Sequence, residues 1–68
     1  MSPAARMVLG CLQRAGHPLH LVDLQAWARY LTAAELLDAF AELQRAGLIE
    51  RTGRGGGRHR LTRKGQAA

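Results

Sequence analysis

The sequence has one cysteine, two prolines, one serine and three aromatic residues in 68 positions. A lone Cys11 can neither close a disulfide within the chain nor assemble a thiolate zinc site, so it reads as a small apolar residue on a helix. Ser2 is the only serine, and its place before Pro3 suits a helix cap better than a nucleophile. No paired-carboxylate arrangement stands in for it, so the chain is not expected to be an enzyme. The glycine run 53–57 lacks the lysine–hydroxyl ending and the following helix of a phosphate-binding loop. His17, His20 and His59 have no carboxylate or cysteine cluster beside them, and His17 and His20 straddle Pro18, so no metal and no cofactor are expected. No apolar run approaches the ~18–20 residues of a membrane span, and Ser2-Pro3 stands where a positive leader would be. The expectation is a cytoplasmic chain with no membrane partner.

What is present is a small core and a lopsided charge. A chain this short forms one domain, and its core is worth no more than ~3–5 kcal/mol. The larger apolar groups are leucines plus Val8, Val22, Trp27, Tyr30, Phe40 and Ile49. With so few aromatics, Trp27 and Tyr30 are expected inside rather than stacked on bases. Residues 1–50 carry four arginines against five acids, whereas residues 51–68 carry Arg51, Arg54, Arg58, Arg60, Arg63 and Lys64 with no acid. Such a block is an electrostatic footprint for a polyanion.

Ser2 and Pro3 predict a helix start, with residues 4–15 continuing it on a stripe of Ala4, Val8, Leu12 and Ala15 flanked by Leu9 and Cys11. Gly16 closes that helix and Pro18 blocks a restart. Gly10 inside it suggests close approach by another element. Leu19 to Leu21 is long enough for one rung of a small sheet. A second helix is expected from Val22 or Asp23 to about Arg29, with Leu24, Trp27 and Ala28 inward. Thr32-Ala33-Ala34-Glu35 is a capping box, opening a third helix that runs to Ala46 with Leu36, Phe40 and Leu43 on its inner face. Gly47 ends it, and Leu48 closes back on its last turn. The period then changes to alternation. Residues 48–52 and 58–62 read as two strands around the five-residue glycine loop, with Ile49 and Leu61 facing in, and Glu50 and Arg60 facing out. The domain is expected over residues 1–65, with 66–68 frayed.

This order resembles the winged helix-turn-helix superfamily, with MarR- and PadR-type bacterial regulators the nearest in flavour. The residues that carry the likeness are Val8-Leu9-x-x-Leu12, Leu24, Leu43-Gln44-Arg45-Ala46-Gly47-Leu48-Ile49-Glu50-Arg51 and Leu61-Thr62-Arg63-Lys64-Gly65, over about residues 6–65. The resemblance implies a mainly α fold of three helices plus a β-hairpin wing, acting as a DNA-binding transcriptional regulator. It implies that the third helix enters the major groove through Thr32, Ala34, Glu35, Leu37, Asp38 and Ala41. The wing would contact phosphates through Arg51, Arg54, Arg58, His59, Arg60, Arg63 and Lys64.

The third helix departs from that pattern. Its outer face offers Ala34, Glu35, Leu37, Asp38 and Ala41, which are acidic or apolar rather than base-reading. Arg45 and Gln44 come late in the helix, where side chains usually point away from the groove. Double-stranded DNA is the leading partner. A protein partner or a second copy docked through the first helix or on Leu37 and its acidic rim is the alternative, and RNA binding through the arginine–glycine wing is the third reading.

Overall fold

A computed structural model describes residues 1–52 and 57–68. It is mainly helical, with a small antiparallel sheet. The order is α1 (Pro3–Ala15), β1 (Leu19–His20), α2 (Leu21–Trp27), α3 (Ala33–Arg45), β2 (Ile49–Arg51), β3 (Arg58–Leu61) and α4 (Arg63–Ala67). The sheet order is β1-β3-β2, with both pairings antiparallel.

The helix ends follow local chemistry. The Ser2 hydroxyl accepts from the Ala5 N–H, Pro3 occupies the first turn, and Gly16 at φ 70° closes α1. Thr32 and Glu35 form the reciprocal capping box of α3. At the far end of α3, Leu48 N–H donates to the Leu43 carbonyl and Gly47 N–H to the Gln44 carbonyl, with Gly47 at φ 75°. That is a Schellman closure, and its left-handed residue has to be glycine.

α2 starts at Leu21, ahead of the expected Val22 or Asp23, because His20 acts as its cap. The His20 Nδ1 accepts from the Val22 N–H, and Asp23 accepts from the His20 N–H. The ring nitrogen does the work of the more usual hydroxyl or carboxylate.

The core is built by Val8, Leu9, Leu12, Leu19, Leu24, Leu36, Phe40, Leu43, Leu48 and Ile49, with Ala5, Cys11 and Ala39 filling between them. Trp27 is 50% and Tyr30 69% exposed, which corrects the expectation that both lie inside. The leucines already fill the space between α1, α2 and α3. Tyr30 lies over α1 instead, its hydroxyl donating to the Met7 thioether. Gly10 does not mediate a close approach either: a Cβ there would meet only Arg14's own guanidinium, at 3.7 Å.

A short helix follows the last strand. Thr62 caps α4 by accepting from the Gly65 N–H, and Gln66 and Ala67 complete its turn. The Gln13 amide donates to the carbonyls of Gly65 and Ala68, tying α4 to α1. Glu42 ties the opposite end by accepting the Ser2 N–H. That bond holds its carboxyl below the usual value.

Candidate nucleic-acid interface

The pairing register decides which face each basic side chain takes. Leu19 pairs with His59, Ile49 with Leu61, and Arg51 with His59, while Glu50 pairs with Arg60 and His20 with Arg58. Paired residues share a face and neighbours alternate. Leu19, Ile49 and His59 are buried. Arg51 therefore lies on the inner, α3-facing side, whereas Arg58, Arg60 and Glu50 lie on the outer side. The basic block is split by the sheet, with Arg63 and Lys64 carried separately on α4.

The cations also differ in what they touch. Arg60 donates to Glu50 at 2.8 Å, the one ion pair among the described residues. Both side chains are about half exposed, so the pair is worth under ~1 kcal/mol. It nevertheless neutralises one of the expected contacts. Lys64 Nζ donates to the Ala46 carbonyl at 2.9 Å, serving the C-terminal end of α3. Arg51, Arg58 and Arg63 are exposed and have no acidic partner among the described residues. Arg54 lies outside the described residues.

His59 departs furthest from expectation. Placed by the sequence among the outward basic groups, it is only 8% exposed, and its ring stacks on Phe40 of α3 with centroids 4.2 Å apart and planes 14° from parallel. The reason is its register: it shares the inner face with Leu19 and Ile49. Burial lowers its pKa, the Arg51 charge and His20 lower it further, and the Gly57 backbone acts in the opposite sense. Its Nδ1 is buried, with no hydrogen-bond partner among the described residues.

Beside His59 lies a cleft of about 250 Å³ between α3 and the sheet, lined by Leu37, Phe40, Ala41, Gln44, Arg51 and His59. Leu37, Ala41 and Gln44 stand at i, i+4 and i+7, so they form one stripe of α3. The stripe brings Gln44, read from the sequence as pointing away from a groove, into the same cleft as Arg51. The other expected α3 residues, Thr32, Ala34, Glu35 and Asp38, are exposed. Thr32 and Glu35 are engaged with each other, and the Thr32 N–H lowers the Glu35 pKa.

A larger hollow, about 450 Å³, lies between Leu12, Gln13, Gly16, His17, Pro18, Arg60, Leu61 and Gln66. Its one guanidinium is already held by Glu50, and the His17 Nδ1 lies 3.0 Å from the Pro18 carbonyl. The smaller cleft has the chemically available groups. Among the described residues no three histidine, cysteine or acidic side chains gather as a metal site would require, and no helix is long and apolar enough to cross a membrane. No family model, no curated protein and no solved structure matches the chain.

Proposed function

We propose that the chain is a winged-helix module of the MarR/PadR kind that binds double-stranded DNA and acts as a transcriptional regulator. The observation that carries the reading is the set of guanidiniums left without acidic partners: Arg51, Arg58 and Arg63 are exposed, and no described carboxylate pairs with them. In a chain of net charge +5, they give a polyanion both a long-range field and short-range donors. The α3 stripe supplies shape and apolar contact more than base reading, because Glu35 and Asp38 accompany it. Affinity then comes chiefly from phosphates and is strongly salt-dependent.

The test is a salt titration of binding to a generic duplex. Each phosphate contact contributes about −0.9 to the slope of log affinity against log salt. The combined Arg51, Arg58 and Arg63→Ala variant should lose roughly two to three units of that slope. Wild-type affinity for the duplex in that variant at low salt would sink the reading.

A second reading is favoured by Leu37, 55% exposed on α3 with Glu35 and Asp38 beside it in sequence. An apolar residue rimmed by acids suits a protein partner or a second copy. Under that reading Leu37→Asp abolishes complex formation and the arginine changes matter little.

A further inference from the structure

The smaller cleft joins two kinds of surface that a free anion would not use together. The α3 wall carries Leu37 and Ala41 with Phe40 beneath, and the Gln44 amide at its end; the sheet wall carries the Arg51 guanidinium, with the His59 ring alongside. Arg51 is exposed and has no acidic partner among the described residues, and no hydrogen bond engages Gln44's amide there. The ligand that matches is amphipathic and anionic, and small enough for about 250 Å³.

We propose that this cleft holds one nucleotide unit of a bound duplex, with Arg51 and Gln44 donating to its phosphate oxygens and Leu37 and Ala41 packing against its deoxyribose carbons. The assignment rests on the duplex reading and narrows it. It puts the duplex on the inner, α3-facing side of the sheet and makes Gln44 a contact residue. Arg58 and Arg60, on the outer side, then contribute through their field rather than through this contact. A phosphate that engages Arg51 also offsets the positive charge that disfavours a proton on His59. His59 is therefore a built-in reporter of occupancy: its titration midpoint should rise when the cleft fills.

The experiment follows His59 ring proton shifts by NMR against pH for the full chain alone, with inorganic phosphate, and with a short generic duplex at low salt. Affinities are measured in parallel for Arg51→Ala, Gln44→Ala and, as a surface control, Gln66→Ala. The duplex is expected to raise the His59 midpoint, and inorganic phosphate to do so much less, because it leaves the apolar wall unused. Gln44→Ala should weaken duplex binding about three- to tenfold and Arg51→Ala about tenfold or more, with Gln66→Ala unchanged. Wild-type affinity in both cleft variants, with loss on replacing Arg58 and Arg63, overturns the cleft assignment and leaves the duplex reading standing. An equal effect of inorganic phosphate on His59 overturns the nucleotide assignment in favour of a plain oxyanion site. No duplex binding by the wild-type chain removes both.

Discussion

Replacing Gly65 by alanine sets two effects of opposite sign against each other. Gly65 lies inside α4, where alanine is intrinsically better by up to ~1 kcal/mol. Its Cβ, however, would stand 1.9 Å from the Leu48 carbonyl oxygen and 3.1 Å from a Leu61 methyl. That carbonyl cannot step aside freely, since it accepts the Thr62 N–H at 3.0 Å. Restoring ordinary contact means moving α4 back by about 1.5 Å, a change of the overpacking kind that costs ~1–3 kcal/mol. The same movement stretches the Gln13 bonds to Gly65 and Ala68, each worth ~1 kcal/mol net. Packing wins, and the variant should lose about 2–3 kcal/mol of the ~3–5 available to so small a core. At ~4–8 °C per kcal/mol, the melting temperature should fall by at least roughly 8 °C. Urea denaturation followed by far-ultraviolet circular dichroism reads the change directly. Gly10→Ala is the matched control: the new methyl meets nothing rigid, so stability should rise by ~0.5–1 kcal/mol. A Gly65→Ala protein as stable as the wild type would refute the close approach of α4 to the Leu48 backbone.

Three further outcomes are expected. The folded state holds His59 neutral with its pKa lowered from 6.5, so its contribution is fully present above that value and is lost as pH falls through the folded value. Urea midpoints should therefore drop on acidification, and His59→Phe, which keeps the stack on Phe40, should flatten this part of the profile; an unchanged slope counts against the burial. Glu50→Gln releases Arg60 from its ion pair and removes a negative charge, so duplex affinity should rise modestly at low salt through the stronger positive field, with stability changed by under ~1 kcal/mol. Thr32→Ala removes one half of the α3 capping box and should cost ~1 kcal/mol in a denaturation curve, whereas no loss would mean that the cap contributes nothing.

Much of the fold was legible because its signals are local. Ser2-Pro3, Gly16, the Thr32–Glu35 box and Gly47 mark helix ends through hydrogen bonds spanning a few residues, and each marks an end in the structure. The faces of the hairpin were legible too, since alternation put Ile49 and Leu61 inward and Glu50 and Arg60 outward, and the structure pairs them so. Less legible were features decided across the chain. Nothing near Trp27 and Tyr30 announces that leucines from three helices leave no space for them. α4 has too short a run for a period to appear, and its capping threonine looks like the end of a strand. Capping by His20 uses an uncommon side chain for the purpose. Of the candidate site, the basic block was readable by counting charges, and its division between two faces follows the same alternation, which carries Arg51 inward with Ile49 and His59 inward with Leu61. The nearness of Gln44 to Arg51 depends on how α3 packs on the sheet, which no local signal states.

The central position of β3 has a consequence for how the chain is made. The segment that completes the sheet is the last of its three strands to leave the ribosome, and it reaches back some forty residues to Leu19 as well as about ten to Glu50. Until it emerges, β1 and β2 have no ladder partner, because they do not pair with each other. The helices can form first from their own caps. The β-layer closes in a single late, non-local step, and a nascent chain stalled before Arg58 carries two bare strand edges open to pairing with other molecules.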